Sequence, residues 1–398
     1  MIMRSLELFS GAGGLAKGLE LAGFQHAQFV EFNKHACNSL RENFDPNSVF
    51  CGDVKDFDFS QLKDIDLVAG GPPCQPFSMA GKHMAYDDTR DMFPYAAKAV
   101  SHYHPKAFIF ENVKGLLRPS FASYFSYITL RLTYPEITAR ADEPWSDHYN
   151  RLSDIDWDTY SGVKYAVKYR LLNAANYGVP QIRERVFIVG IRSDLNVEWR
   201  FPKPTHDANQ LHWDQFITGD YWRRHNIKQP SDSISNCSQY EKVAKLELGL
   251  EAPLKPWLTV RDALFDIPHP AADHNIPDHI FRDGARSYPG HTGSYVDSPA
   301  KTLKAGGHGV PGGENMIRNE DGTVRYFTVF ESKLLQTFSP TFRITGAWGE
   351  GMRQIGNAVP TALARRLGGQ LMSALLEADK SAAVRQFTTL TGELVAAA

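Results

Sequence analysis

Ile65-Asp66-Leu67-Val68-Ala69-Gly70-Gly71-Pro72-Pro73-Cys74-Gln75-Pro76-Phe77-Ser78 holds an apolar run, two glycines, and a cysteine framed by prolines. Ile65 to Ala69 has the length and composition of a buried strand. Proline fixes φ and supplies no N–H, so the following loop is stiff. A thiol on a stiff loop at the carboxyl end of a buried strand is a candidate nucleophile.

Outward from this run, strand and helix signals alternate. Ser5–Phe9, Gln28–Phe32, Ser48–Cys51 and Lys106–Phe110 read as strands, and Tyr165–Leu172 and Val186–Val189 supply two more. Leu15, Leu19 and Ala22 recur at helical spacing before Gly23, as do Ala36, Leu40 and Phe44, and a further helix is expected around Tyr95 to Val100. Alternation of this kind predicts an α/β fold with a doubly wound, mostly parallel sheet. Ligands of such sheets bind outside the carboxyl ends of the strands. Ser10, Glu31, Asp53, Cys74 and Glu111 each fall at such an end, which puts polar and reactive groups on one rim.

From Arg192 to Val324 the periodicity degrades into Pro, Gly, Asn, His and Trp, with a Gly-rich loop over Lys301–Gly313. This predicts a second, smaller and irregular domain. Helical periodicity returns from Thr328 to Leu375. The expected division is 1–191, 192–324, then 325–380 returning to the first domain, with a flexible tail over 381–398.

Composition bounds the function. Hydrophobic residues make up 42% of the 398, no run is long enough to span a membrane, and no signal peptide is evident, so a cytoplasmic protein is expected. Cys37, Cys51, Cys74 and Cys237 form no CxxC pair and no Cys/His set with zinc spacing, so no metal is expected. A net charge of −2 neither supports nor excludes nucleic acid, which needs only a local positive face.

Gly11-Ala12-Gly13-Gly14 follows the first strand and opens a helix, where glycine lets backbone approach a ligand. Glu31, about twenty residues on, is placed for ribose hydroxyls. Asp53 is placed for an adenine amino group. The set suits an adenosine ligand and does not separate S-adenosylmethionine from a nicotinamide dinucleotide.

Five segments in order carry a resemblance: Leu8–Gly14, Pro72-Pro73-Cys74-Gln75, Glu111-Asn112-Val113, Gln181-Ile182-Arg183-Glu184-Arg185 and Gly356-Asn357-Ala358-Val359-Pro360. They resemble the DNA (cytosine-5) methyltransferases of bacterial restriction-modification systems and span nearly the whole chain. The resemblance implies S-adenosyl-L-methionine as methyl donor, held around Phe9, Gly11, Gly13, Gly14, Glu31, Phe32, Asp53, Val54, Pro73 and Asn357, with Phe32 stacked on the adenine. It implies Cys74 as the nucleophile at C6 of a flipped cytosine and Glu111 as the proton partner at N3. Arg183 and Arg185, two residues apart and expected on one face, would bind phosphate or the base O2 and fix the Cys74 loop. Gln75, Ser78 and Gln181 would contact substrate, and Asn112 would hold the loop by backbone hydrogen bonds. A mobile loop over Met79–Arg90 would close on the DNA, and Ser78 or residues near Gly306 would fill the gap a flipped base leaves.

The irregular domain corresponds by position to a target-recognition domain, with Arg223, Arg224, Arg282, Arg286, Lys301 and Lys304 available as readers. Its Gly-rich loop is similar to those of enzymes that read short GG- and CC-containing palindromes. Double-stranded DNA is the implied partner, for a monomer, with a cognate restriction endonuclease acting on the same site. The alternative is a transfer-RNA cytosine-5 methyltransferase. Two departures stand out: Asp91, where the family usually has glycine, and an acidic stretch over Tyr134–Asp158 that reads as an inserted surface loop.

Overall fold

The computed structural model describes residues 2–73, 91–230, 254–289, 291–305, 315–319 and 321–396. Two compact units emerge. The first comprises Met1–Leu171, Glu184–Pro202 and Ala364–Ala398, and the second Leu172–Arg183 and Lys203–Leu363. The sequence boundaries therefore shift. The segments 172–183 and 325–363 join the second unit, and the chain returns to the first from Ala364, within the last helix.

The first unit is built on a seven-stranded sheet of β1 (Met3–Leu8), β2 (Phe24–Glu31), β3 (Val49–Cys51), β4 (Leu67–Gly70), β5 (Ala107–Val113), β6 (Tyr165–Asn173) and β7 (Glu184–Arg192). Their order is β3-β2-β1-β4-β5-β7-β6. Strands β1 to β5 pair in parallel, and β7 runs antiparallel to β5. All four residues of β4 are buried, as a parallel strand covered on both faces requires. Helices α1 (Gly14–Leu21), α2 (Lys34–Asn43) and α3 (Phe93–Tyr103) follow β1, β2 and β4. The main core gathers Leu6, Leu8, Val68, Phe108, Phe110, Val186 and Ile188 of the sheet against Ala96, Val100 and Ile128 of the helices. Two features differ from expectation. Glu111 lies inside β5, not after it. The chain from Thr361 to Ala396 is one helix, with no free tail over its last turns up to 396.

Both family departures have a structural account. Asp91 Oδ1 accepts the Phe93 N–H at 3.1 Å at the start of α3. Its other oxygen accepts from the Tyr124 hydroxyl of α4 (Ala122–Thr133). Asp91 thus ties α3 to α4, which glycine cannot do. The inserted stretch is not a loose loop. It holds α5 (Trp145–Ser153), whose His148 and Leu152 are fully buried against α4. His148 Nδ1 meets the Tyr127 hydroxyl at 2.9 Å, and Nε2 meets the Ile137 carbonyl at 2.9 Å. Burial pushes the His148 pKa down, which keeps the ring neutral. Arg151 binds Glu143 at 2.7 Å, so part of the expected acidity is internally matched.

The second unit carries little regular structure. A three-stranded sheet joins β10 (Ser294–Tyr295), β11 (Met316–Arg318) and β12 (Val324–Tyr326), and β8 (His206–Asp207) pairs with β9 (Lys255–Pro256). A capping box of Thr328 and Glu331 starts the helix Val329–Leu335, and buried Arg325 grips Glu331 through two bonds of 2.7 and 2.6 Å.

The sheet also explains Gly70. A Cβ there would lie 2.2 Å from the Leu8 carbonyl oxygen, a backbone atom that cannot swing away. Gly70→Ala is expected to lower stability by about 1–3 kcal/mol, the usual cost of overpacking, read from urea denaturation. Wild-type stability in this variant would mean that β1 and β4 are not this close.

Candidate active site

The rim at the carboxyl ends of β1, β2 and β3 is organised by Glu31. Its Oε2 accepts the Gly11 N–H at 2.7 Å and its Oε1 the Asn33 N–H at 2.8 Å. One carboxylate thereby joins the β1–α1 turn to the start of α2 and stays half-buried. Phe9, Gly11 and Gly13 all have positive φ, at 52°, 54° and 86°. Left-handed backbone is costly for phenylalanine, so the turn is held in a shape the chain would not adopt unaided. Gly13 must be glycine on a second ground: a Cβ would sit 2.8 Å from the Phe44 ring. A Cβ on Gly11 would meet nothing within 4 Å, so that face of the turn is open. Gly14 is buried as the first residue of α1.

Phe32 is 75% exposed beside this turn. A core aromatic would be buried, so its ring is available to a ligand. Asp53 caps a short turn by accepting the Lys55 N–H at 3.0 Å and remains half-buried. Val54 is 4% exposed and belongs to the main core. Beneath the rim, Cys37 Sγ donates to the Glu31 carbonyl at 3.2 Å. Burial, with Cys51 beside it, pushes the Cys37 thiol well above its usual pKa, so it stays a protonated structural donor.

Further along the sheet, Glu111 and Arg185 face each other across β5 and β7, with Arg185 Nε 2.9 Å from Glu111 Oε1. Both are largely buried. Asn112 Nδ2 donates to the Pro72 carbonyl at 3.0 Å, as expected of a loop anchor. Pro73 is exposed, and its carbonyl accepts the Met92 N–H at 3.4 Å, joining the chain before and after residues 74–90. A Cβ on Gly71 would lie 3.4 Å from Glu111 Oε2. The stem that leads to Cys74 therefore passes beside the Glu111 carboxylate. Cys74, Gln75 and Ser78 themselves lie outside the described residues, as do the 79–90 loop and Gly306.

The second unit holds the remaining predicted residues, and here the reading changes. Arg183 has no exposed surface. Its Nη1 donates to the Leu303 carbonyl at 3.1 Å and its Nη2 to the Gly356 carbonyl at 2.7 Å. A guanidinium so enclosed cannot also reach a phosphate. Of the expected arginine pair, only Arg185 stands beside Glu111. Gln181 is equally buried: its Oε1 accepts the Leu303 N–H at 3.0 Å and its Nε2 donates to the Leu335 carbonyl at 3.4 Å. In this arrangement it holds backbone and presents nothing to a substrate. Gly356 lies against the 304–305 backbone, where a Cβ would come within 2.5 Å. Asn357 is exposed at the end of the helix Trp348–Asn357.

Two residues of this cluster were not foreseen. Asn315 binds both the N–H and the carbonyl of Lys304, each at 3.0 Å, closing the base of the Gly-rich loop. Gln336 Nε2 donates to the carbonyls of Ile355 and Ala358. An isolated Asn or Gln has no local pattern that would reveal such a role.

The sheet order, the antiparallel pairing of β7 with β5 and a glycine turn opposite an acidic residue define an α/β methyltransferase fold. The family model for C-5 cytosine-specific DNA methylase matches residues 3–133 and 146–373, and the chain belongs to that family. Among curated relatives, the Type II methyltransferase M.XorII of Xanthomonas oryzae pv. oryzae is 30% identical over 93% of this chain and 84% of its own. The Type II methyltransferase M.NgoMIV of Neisseria gonorrhoeae is 35% identical over 59% of this chain and 68% of its own. A solved structure of the Entamoeba histolytica methyltransferase EhMeth shares the fold at 16% identity and a TM-score of 0.56, over 94% of this chain and 99% of that one. The chain is a DNA cytosine-5 methyltransferase of the Type II restriction-modification kind. No helix among the described residues is long and apolar enough to cross a membrane, and no group of metal-ligating side chains occurs among them.

The Arg183 geometry sets a test. Arg183→Lys offers one point charge where two diverging N–H groups are needed, so at least one buried carbonyl loses its donor. A loss of about 1–3 kcal/mol is expected from thermal or urea unfolding. An unchanged midpoint would count against the clamp.

Proposed function

We propose that the protein transfers a methyl group from S-adenosyl-L-methionine to C5 of a cytosine everted from a specific short duplex DNA sequence, through a covalent bond between Cys74 and C6. The observation that carries the reading is the Pro72–Pro73 stem, anchored by Asn112 and running past Glu111 and Arg185. The chain that leads into Cys74 thus runs beside a carboxylate–guanidinium pair.

The donor fits the first unit's rim. The open face at Gly11 admits a ligand, exposed Phe32 offers an aromatic platform, and Glu31 and Asp53 offer acceptors for ribose hydroxyls and an adenine amino group. When bound, S-adenosylmethionine supplies an electrophilic sulfonium methyl.

Cytosine C5 is a poor nucleophile. Addition of the Cys74 thiolate at C6 turns the ring into an enamine-like species that is nucleophilic at C5. Negative charge develops on the ring as the bond forms. Glu111 hydrogen-bonds N3 and shares a proton with it, and Arg185 holds the carboxyl group in place. Once C5 carries the methyl group, solvent water takes the C5 proton, its electron pair restores the C5–C6 double bond, and the C6–S bond breaks to release Cys74 as thiolate. Duplex cytosine is inaccessible to these groups, so the base leaves the stack.

The second unit acts as the target-recognition domain, with the loop closed by Asn315 presented to DNA. Protection of host DNA from a restriction endonuclease of the same specificity is the biological role. The chain acts as a monomer, without a stable complex with that enzyme. A transfer-RNA acceptor is disfavoured by the DNA methylase family match and by the Type II relatives.

Incubation with a duplex containing 5-fluorocytosine should trap a protein–DNA adduct through Cys74, and Cys74→Ser should abolish both adduct and methyl transfer. An adduct through another side chain would overturn the mechanism. Phe32→Ala should weaken S-adenosylmethionine binding about two- to tenfold in calorimetry, from a lost stacking contribution of about 0.5–1.5 kcal/mol.

A further inference from the structure

The arginines of the second unit divide by what holds them. Arg223 pairs with Asp220, Arg224 with Asp262, Arg261 with Asp297, Arg325 with Glu331 and Arg353 with Glu350. A guanidinium matched to a carboxylate adds little net field. Arg282 and Arg286 differ: both are exposed, and neither has an acidic partner among the described residues. They share one irregular segment with Ile280, 74% exposed, Phe281 and Tyr288. Asp283, also exposed, offsets one charge and caps the next residue by accepting the Gly284 N–H at 2.7 Å.

Arg282 is also held in place. Its guanidinium stacks over the Trp348 ring, 4.3 Å from the centroid. Trp348 is fixed in turn, since Nε1 donates to the Phe327 carbonyl at 3.2 Å and its ring packs on Tyr326 at 5.5 Å. Stacking on an aromatic face leaves the guanidinium edges free to donate, and a pre-oriented fork loses less entropy when it binds an oxyanion. Uncompensated, oriented cations on a chain of net charge −2 have one polyanion in reach of the reaction, the DNA substrate.

We infer that the 280–288 segment grips the DNA sugar–phosphate backbone, with Arg282 on its Trp348 platform and Arg286 as the phosphate contacts. This rests on the reading of the second unit as the DNA-reading part. Backbone contacts position the duplex and carry no sequence information of their own.

Full-length Arg282→Ala, Arg286→Ala and the double variant should be titrated with labelled duplex across a salt series. Affinity is expected to fall for target and unrelated duplexes alike, and the slope of log K against log salt to shrink by about one per arginine. Arg282→Lys should keep most of the slope, and Arg200→Ala, which removes an arginine paired with Glu198 at 2.8 Å, should leave it unchanged. S-adenosylmethionine affinity and melting temperature serve as fold controls. Wild-type slopes in the double variant would overturn the inference, as would a loss confined to one sequence, which marks a base reader. Failure of the proposed function shows differently, as absent methyl transfer to DNA by the wild-type enzyme.

Discussion

Parallel pairing of β1 with β2 and β4, and of β4 with β5, is the constraint on which the site depends. Parallel strands all end on one edge, so the turns after them must share that edge. The pairing is tight enough at Leu8 and Gly70 that a single added methyl group would force the backbone to shift. From this edge come the glycine turn, Glu31, Asp53 and the proline stem. The antiparallel pairing of β7 with β5 then sets Arg185 beside Glu111, because β7 enters where β5 leaves.

Two kinds of polar anchor finish what the sheet begins. Glu31 is a carboxylate that binds backbone N–H groups on two turns, so its position is fixed before any ligand arrives. Arg183 is the opposite case, a cation that binds the Leu303 and Gly356 carbonyls. Burying it in the second unit is tolerable because its charge-assisted bonds satisfy carbonyls that would otherwise lack donors. Together with Gln181, Asn315 and Gln336 it forms a small network of side chains that hold backbone. The Gly-rich loop thus begins and ends on rigid ground.

The sequence made the first unit legible because its signals are local and periodic. Continuous apolar runs such as Leu67–Ala69 and the Gly11–Gly14 turn carry their meaning within a few residues. Strand ends were less clear: Glu111 and Asn112 continue β5 because pairing with β7 extends past the apolar run. The role of Arg183 was hidden for a different reason. Period two places Arg183 and Arg185 on one face only where the strand is regular, and β7 begins at Glu184. Arg183 instead pairs with distant backbone, which no spacing rule encodes. The 134–158 stretch looked like an exposed loop because its polar residues outnumber its apolar ones. Yet His148 and Leu152, one turn apart, are buried, and Trp145 packs on Tyr124 and Tyr127 of α4.

That buried histidine has relatives. His148, His212, His225 and His279 are all held below their ordinary pKa, in each case chiefly by loss of water around the ring. An unfolded chain takes up protons at these rings more readily than the native one does. Stability from this source is complete above the unfolded value near 6.5 and declines as acid carries the solution below it. Both units contain such rings, so mild acidification loosens each of them.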